Sequence, residues 1–240
     1  MVERDGIYYE VNSQTGFTGT SISYYENGQL EEKRNYKDGK EDGLYEGYHD
    51  NGQLKFKGNY KDGQKQGLRE DYHKNGQLWV TENYKDGEKH GLQVEYYKDG
   101  QSKSKENFKD GQKHGLHEDY YENGQLNSKN NFQDGQRHGP SEGYYENGEL
   151  QVKGNYTDGL LNGPYEEYLP EGSQRTVYKN GELDGLLEIL YPNGSVFIRE
   201  LFKEGKKHGL SQMFDEDGTN YSSSCYINDQ MVDDSLCPEI

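Results

Sequence analysis

Glycine recurs along this chain with a period of 24 residues, and this regularity constrains the fold more than any other feature of the sequence. Three sets of glycines keep this spacing apart from one 22-residue interval, and they hold 26 of the 32 glycines. A fixed period of this size is typical of a tandem repeat array rather than of a globule with one core. The first set is Gly28, Gly52, Gly76, Gly100, Gly124, Gly148, Gly172, Gly194 and Gly218; the second is Gly39, Gly63, Gly87, Gly111, Gly135, Gly159, Gly181 and Gly205; the third is Gly19, Gly43, Gly67, Gly91, Gly115, Gly139, Gly163, Gly185 and Gly209.

Each unit contains strand-like runs separated by turns, as in GLHEDYYENGQLNSKNNFQDGQRHG. The runs are about seven to nine residues long, are rich in Tyr, Phe, Val and Leu, and show no helical stripe. Asn-Gly and Asp-Gly are the strongest short hairpin signals, because both central residues of a type I′ turn need positive φ. The sequence therefore predicts an all-β fold, an elongated repeat array of antiparallel β-hairpins with about nine 24-residue units.

The turns also predict a pairing register. We expect the Asn-Gly turns to be tight two-residue turns and the DGxxHG segments to be longer, glycine-bracketed ones. Opposite charges then face each other on neighbouring strands, which is a favourable cross-strand arrangement. The expected pairs are Asp50 with Gln53, His49 with Leu54, Glu46 with Lys57, and Glu142 with Lys153.

Neither face of such a sheet would be purely apolar. Phe56 and Tyr60 fall on one face, and Leu44 and Tyr48 fall on the other. We therefore expect stacked aromatic columns to contribute stability, with rings on every second strand about 9–10 Å apart. One such column contains Tyr36, Tyr60, Tyr84, Phe108, Phe132 and Tyr156.

The ends of the chain depart from the repeat, as expected for terminal units that have only one neighbour. We expect residues 1–27 to form an N-terminal cap with an incomplete repeat, 28–218 to hold the tandem repeats, and 219–240 to form a C-terminal half repeat and acidic tail. In that last segment Asn228-Asp229 replaces an Asp-Gly turn, so the turn glycine is lost. In the 22-residue unit at 172–194 we expect a strand to have lost two residues, which is either tolerated or bends the array.

The charge of the chain is negative and unevenly distributed. The formal net charge is −17, with −5 in residues 1–32 (six acids, one base) and −7 in residues 211–240 (seven acids, no base). Only 29% of the residues are hydrophobic, but 23 Tyr and 7 Phe predict a folded rather than a disordered chain. An acidic surface disfavours nucleic acid and anionic lipid and attracts a basic protein. The alternative is that the acidic ends serve only solubility.

The two cysteines, Cys225 and Cys237, have no metal-ligand spacing, and the sequence leaves open whether they form a disulfide. No apolar run is long enough to cross a membrane, and the opening MVERDGIYYE has no signal-peptide core. We therefore expect a cytoplasmic protein without membrane insertion. The alternative is an exported protein whose signal sequence preceded Met1.

The histidines and glycine-rich turns look like catalytic motifs, but their repetition argues against chemistry. A zinc site needs convergent ligands, whereas equivalent positions in a hairpin array are two strands apart. A phosphate-binding loop leads into a helix, and no helical pattern follows KDGQKHG. The sequence therefore predicts no catalytic residue, no metal site, no cofactor and no enzyme activity. The histidines at one repeat position, expected to serve turns, are His90, His114, His138 and His208.

A column of Tyr and His just before the Asn-Gly turns is the best candidate for a partner-binding surface. Tyrosine combines a large contact area with a hydrogen-bonding tip, and it is enriched at binding hot spots. The alternative is that these side chains only support the neighbouring hairpin. The column contains Tyr25, His49, His73, Tyr97, Tyr121, Tyr145 and Tyr191.

The repeat unit resembles a known family. The segments YKDGEKHGLQVEYYKDGQS and NFKDGQKHGLHEDYYENGQL are similar to the variant MORN repeat of bacterial-type proteins, and the resemblance covers roughly residues 7–226. The opening YYEVNSQTGFTGTSISYYENGQL resembles YwqK-type antitoxin or immunity proteins. The resemblance implies a twisted sheet of hairpins that binds proteins and, for the antitoxin group, neutralises a toxin encoded beside it. With one Trp, Trp79, and an Asn-Gly second turn, the chain departs from the eukaryotic MORN pattern and its lipid-binding role.

Three functions remain open after this comparison. The first is a non-catalytic protein-binding repeat protein, such as an antitoxin whose partner is a basic toxin. The second is a structural scaffold that self-associates along the edges or faces of its sheet. The third is a wall- or carbohydrate-binding repeat protein, which is less favoured because such aromatic repeats rely on several Trp residues.

Overall fold

The computed structural model describes residues 1–238; residues 239 and 240, at the end of the expected acidic tail, lie outside the described part. The chain divides into two compact units, one of residues 1–124 and one that begins at residue 125. Within each unit, antiparallel strands pair with their neighbours in chain order, and the only helix in the described part is a short 3-10 turn. The expected all-β array of hairpins is confirmed.

The first unit contains twelve strands. Strands β1 and β2 form a small hairpin of their own, whereas β3 to β12 belong to the repeating sheet. Both β9 and β10 pair with β8, so they are two parts of one strand that is interrupted at His90. The strands are β1 Val2–Arg4, β2 Ile7–Tyr9, β3 Gly19–Tyr24, β4 Leu30–Lys37, β5 Lys40–Tyr48, β6 Leu54–Lys61, β7 Gln64–Tyr72, β8 Leu78–Lys85, β9 Glu88–Lys89, β10 Gly91–Tyr96, β11 Ser102–Lys109 and β12 Gln112–Tyr120.

The second unit contains eleven strands and the 3-10 turn Asp234–Leu236. Both β18 and β19 pair with β17, so they are again one strand, interrupted at Asp184. The strands are β13 Leu126–Gln133, β14 Gln136–Tyr144, β15 Leu150–Thr157, β16 Leu160–Leu169, β17 Gly172–Lys179, β18 Glu182–Leu183, β19 Gly185–Leu190, β20 Val196–Lys203, β21 Lys206–Phe214, β22 Asn220–Ile227 and β23 Gln230–Val232.

The Asp-Gly turns are the tight, two-residue turns of the array. Lys37 pairs with Lys40 across the turn, and Asp38 and Gly39 both have positive φ, 51° and 80°. Positive φ at both central residues defines a type I′ turn. The expectation that DGxxHG forms one longer turn is therefore wrong. The second glycine of this motif, which is Gly43 in the first hairpin, lies at an irregularity inside the following strand.

The Asn-Gly turns are longer than expected. The His49 amide donates to the Gln53 carbonyl and the Gly52 amide donates to the His49 carbonyl, both at 2.8 Å, and Gly52 has a φ of +83°. This is a three-residue loop, a type I turn followed by a left-handed glycine. Asn51 stabilises it, because its Oδ1 accepts from the Gln53 amide (3.1 Å) and its Nδ2 donates to the Lys74 carbonyl (2.8 Å) of the next hairpin. His49 therefore faces Gln53, and the expected register at this turn is wrong.

A β-bulge restores the expected register further along the hairpin. The bulge lies between Gly47 and Tyr48, so Leu54 faces Tyr48 rather than His49, but Glu46 faces Lys57. Glu142 likewise faces Lys153 in the second unit, so both predicted charge pairs are confirmed. These pairs belong to a row of cross-strand partners on what we call the ladder face. The row contains Lys33, Glu46, Lys57, Glu70, Thr81, Val94, Lys105 and Glu118 in the first unit, and Lys129, Glu142, Lys153, Glu166, Arg175, Glu188 and Arg199 in the second.

The opposite face, which we call the aromatic face, is the more enclosed one in the first unit. The Tyr45 ring centroid lies 4.7 Å from that of Phe56 and 5.7 Å from that of Tyr60, and Tyr36 and Phe56 are buried. Cations fill the gaps in the expected aromatic column: Lys65 faces Tyr60 and its Nζ lies 4.7 Å from the Tyr84 ring centroid. From Tyr60 to Phe108 the column therefore alternates rings with ammonium groups instead of stacking ring on ring, which suits a sheet with little apolar surface.

The shortened unit loses its two residues from a turn and not from a strand. Strand β17 keeps eight residues, as β6 and β15 do, but Leu169 pairs with Gly172 across the two-residue connection Pro170-Glu171. The expected loss from a strand is therefore wrong. Gly172 permits the short connection, because its φ is +139° and a Cβ there would lie 2.1 Å from the Leu190 carbonyl oxygen.

The C-terminal strand pair is closed by a disulfide between Cys225 and Cys237. Cys225 is fully buried, and Val232 of β23 faces it across the strand pair. The question that the sequence left open is thus answered in favour of a bond. Within residues 1–238, no helix has the length and apolar character that crossing a membrane requires.

Substituting Gly172 tests the close approach at the shortened turn. Gly172→Ala is expected to lower the free energy of unfolding by about 3 kcal/mol or more, because the new methyl group collides with a main-chain oxygen. Gly135→Ala is the matched control, since Gly135 also has positive φ but no atom lies within 4 Å of its added Cβ; its expected cost is about 1 kcal/mol. Urea unfolding followed by circular dichroism measures both, and equal costs would contradict the clash.

The loss of stability at low pH tests the ion pairs of Glu188 on the ladder face. Glu188 is 3% exposed and is bonded to Arg175 and Arg199. Burial pushes the pKa of Glu188 up, but the two guanidinium groups outweigh it and hold this pKa below the usual 4.5. A lowered folded-state pKa stabilises the fold above about pH 4.5, and this contribution is lost as the pH falls through the folded-state pKa.

Glu188→Gln is therefore expected to cost about 3 kcal/mol at pH 7, and the difference from wild type should shrink below pH 4.5. Glu166→Gln is the control: Glu166 pairs with Lys153 at 3.0 Å, but both side chains are partly exposed, so about 1 kcal/mol or less is expected. Urea unfolding at a series of pH values is the measurement. A pH-independent cost at Glu188 would show that the ion pairs contribute nothing.

Candidate partner-binding edge

The seven residues of the predicted column lie at one edge of the sheet of their own unit. Each directly follows a strand and precedes the loop to the next one, and each is half-buried. Because they share one repeat position, they form a row within each unit instead of converging on one pocket. The first unit holds Tyr25, His49, His73, Tyr97 and Tyr121, and the second holds Tyr145 and Tyr191.

The polar tips of at least five of these side chains are hydrogen-bonded within the sheet. Four tyrosines donate their hydroxyl hydrogen to the main-chain carbonyl 23 residues further on, at distances between 2.6 and 3.0 Å. His49 places Nε2 2.9 Å from the equivalent carbonyl oxygen, that of Tyr72. The column thus joins successive hairpins, and its ring surfaces are the part left for a partner. The four tyrosines are Tyr25, Tyr97, Tyr145 and Tyr191.

Two clefts lie beside this column, one in each unit. The Trp79 cleft, of about 430 Å³, is lined by His73, Trp79 and Tyr97 among others. The Leu169 cleft, of about 670 Å³, is lined by Tyr145 and Leu169 among others. Trp79 is 46% exposed and Leu169 is 50% exposed. Each cleft therefore combines a column residue with a large exposed apolar side chain.

The clefts also carry negative charge. In the Trp79 cleft, Glu95 is paired with Lys103 at 2.8 Å, and Glu122 lies nearby. Burial, followed by the negative charge of Glu122, raises the pKa of Tyr97, so its hydroxyl stays protonated and remains a donor at neutral pH. Glu146 lines the Leu169 cleft. Aromatic and acidic groups side by side favour a ligand that is both apolar and cationic.

The histidine column lies at the opposite edge, beside the Asp-Gly turns. Thr18 and Gln66 occupy the position of these histidines in other repeats. Each accepts a hydrogen bond from the main-chain amide 20 residues further on, at 2.8 and 2.9 Å. His90 places Nδ1 3.3 Å from the carboxylate of Asp110, in the turn of the next hairpin. The position therefore serves the neighbouring turn. Within the described residues, no group of three His, Cys, Asp or Glu side chains is arranged to hold a metal ion.

Trp79 and Leu169 are the two residues of this edge that sequence reasoning missed. Trp79 belongs to β8, and its ring centroid lies 5.9 Å from that of the His73 ring. Leu169 occupies the column position 24 residues after Tyr145, in the unit with the shortened turn. Two signals were available: Trp79 is the only Trp of the chain, and Leu169 is apolar in a column of Tyr and His.

The hairpins and the row along their edge define the chain as a tandem β-hairpin repeat protein. The family model of the MORN repeat variant matches residues 17–38, 41–62, 65–86, 89–110, 113–134 and 137–158, together more than half of the chain. The chain therefore belongs to the MORN repeat variant family. A comparison with curated proteins found no match. The family expectation is confirmed, while the resemblance to YwqK-type antitoxins stays a prediction.

Removing one hydroxyl tests the structural part of the column. Tyr97→Phe keeps the ring but leaves the Tyr120 carbonyl without the donor that now lies at 2.6 Å, so we expect a loss of about 1 kcal/mol in the free energy of unfolding. Tyr24→Phe is the control, because Tyr24 is 63% exposed and should change stability by less than about 0.5 kcal/mol. Thermal and urea unfolding measure both; an unchanged Tyr97→Phe variant would contradict a supporting role.

Proposed function

We propose that this chain is a non-catalytic binding protein whose Asn-Gly edge holds a protein partner, and that the partner is a basic toxin neutralised by this binding. The observation that carries the proposal is the pair of clefts at that edge. Each unit presents one, with a column Tyr or His beside an exposed Trp79 or Leu169. Large apolar side chains are exposed there together with rings, as at binding hot spots.

The fixed position of the column rings supports binding. The hydroxyl of Tyr97 and that of Tyr145 are each held by a main-chain carbonyl at 2.6 Å, so the rings lose little conformational freedom when a partner arrives. The MORN repeat variant family supports the non-catalytic part of the proposal, since its hairpins supply surfaces rather than a unique reactive site.

The charge of the chain supports a basic partner. The chain carries 44 acidic and 27 basic residues. Such an excess attracts a positively charged protein and repels nucleic acid, and a nuclease-type toxin is basic because it binds phosphate backbones. Neutralisation would follow if the acidic chain covers the surface that the toxin uses for its substrate.

Co-purification with the product of the neighbouring gene tests this proposal. We expect a complex at about 50 mM salt that is lost or weakened at about 0.5 M, and relief of toxicity on co-expression. Trp79→Ala and Tyr97→Ala should each weaken the complex by about tenfold or more, whereas Lys61→Ala, exposed at the Asp-Gly edge, should not. A neighbour that is not toxic and does not bind, or edge variants that bind like wild type, would contradict the proposal.

A self-associating scaffold is the second candidate. Leu44, Leu68 and Leu92 share one repeat position on the ladder face and are 38%, 47% and 42% exposed. A row of exposed leucines favours contact between apolar surfaces. Concentration-dependent sedimentation of the protein alone, with no partner found, would favour this function over the first.

The disulfide bears on the cellular compartment in which the protein meets its partner. Disulfides persist in oxidising compartments and are rare in the cytosol, where thiols are kept reduced. The bond between Cys225 and Cys237 therefore supports the exported alternative over the cytoplasmic one.

A further inference from the structure

Several rings line the Trp79 cleft, and one of them, that of Tyr97, is held in place. Trp79 is 46% exposed, and the centroids of the His73 and Trp79 rings lie 5.9 Å apart. Tyr97, from the next hairpin, also lines the cleft, and its hydroxyl is held by the Tyr120 carbonyl at 2.6 Å. A cleft of about 430 Å³ is at the small end of ligand-binding sites, so it suits one side chain rather than a large molecule.

The charges in the cleft exclude two kinds of occupant. Five charged side chains line it, which disfavours a purely apolar group. The charge of Lys103 is neutralised by Glu95 at 2.8 Å. The charges that remain are those of Asp99, Glu122 and Lys98, and they sum to about −1. An anionic group would meet this charge and that of the whole chain. A cation with a flat apolar surface is the remaining class.

We propose that the Trp79 cleft binds an arginine side chain of a partner protein, with its guanidinium against the Trp79 ring and its charge facing Glu122. Arginine fits better than lysine, because its guanidinium is planar, stacks on aromatic rings, presents a fork of donors to carboxylates and is more weakly hydrated. The inference rests on the proposed function and deepens it by naming the side chain that the edge recognises.

Trp79 also supplies the measurement, because it is the only Trp of the chain and its fluorescence reports on this cleft alone. The probe is the peptide acetyl-Gly-Arg-Gly-Arg-Gly amide, titrated at low salt. The matched control peptide replaces both arginines with citrulline, which has nearly the same shape but no charge. We expect a saturable change in Trp79 fluorescence with the arginine peptide and binding at least about tenfold weaker with the citrulline peptide.

Two carboxylate variants separate local recognition from the charge of the whole chain. Glu122→Gln should weaken binding of the arginine peptide about fivefold, since it removes the carboxylate of the cleft. Glu26→Gln removes the same charge at the same turn position of another hairpin and should leave binding unchanged. Lys98→Gln should strengthen binding about twofold, because it removes a positive charge of the cleft that repels the arginine of the peptide. All three side chains are exposed, so the fold should tolerate these changes.

Three results would overturn the inference: no saturable change with the arginine peptide, equal binding of the citrulline peptide, or equal effects of Glu122→Gln and Glu26→Gln. The first and third would leave the proposed function standing if the toxic neighbour still co-purifies. Peptide binding with the expected pattern, in a chain for which no toxic neighbour is found, would support the arginine site and remove the toxin from the proposed function.

Discussion

Beside the pairing of their strands, successive hairpins are joined at the Asp-Gly edge by a hydrogen bond from the glycine amide of the turn to a main-chain carbonyl of the hairpin before it. In the first unit Gly63 donates to Glu41 at 2.8 Å, and in the second Gly159 donates to Arg137 at 2.9 Å. The type I′ turn brings this amide to the edge, and its positive φ at both central residues explains the glycine period. Because donor and acceptor are both main-chain groups, this bond does not depend on which side chains the faces carry.

A sheet held in this way needs little apolar surface. Among the described residues, the buried apolar side chains are few, and the carboxylates of Glu188 and Glu200 are buried as well. Rows of opposite charges on the ladder face and of alternating rings and cations on the aromatic face replace a hydrophobic core. Each such contact contributes about 1 kcal/mol or less, so stability accumulates over many neighbouring hairpins. The polar composition that would indicate disorder in another chain is thus compatible with a folded array.

The Asn-Gly edge is built differently, because a side chain makes the bond between hairpins there. The hydroxyl of Tyr25 or Tyr97 reaches the carbonyl of the next hairpin, so the shape of this edge depends on the side chains that each repeat carries. Clefts occur where repeats differ from one another, at Trp79 and at the shortened turn after Leu169. Departures from the repeat therefore make places that are unique along the array, and a unique place is what recognition of one partner requires.

Much of the fold follows from local sequence. The glycine period predicted the hairpins and their strand lengths, and the register expected from the turns predicted the pairing of Glu46 with Lys57, although that pairing is reached through a longer loop and a compensating bulge. Turn types were harder to predict, since Asn-Gly is compatible with a two-residue and a three-residue loop. The choice was made by Asn51, whose side chain bonds to Lys74 of the next hairpin. The turn at Asn228-Asp229 is a second case in which the turn type does not follow from the sequence, because both residues have positive φ although neither is glycine.

The sequence by itself therefore determined the repeat, the all-β class and the row of Tyr and His along one edge, because each depends on contacts within a hairpin or on strict periodicity. Only the tertiary structure decided which ring meets which cation, that Cys225 is bonded to Cys237, and that His73, Trp79 and Tyr97 share a cleft. Those features depend on how far each side chain reaches across neighbouring hairpins, and that distance is a property of the folded sheet.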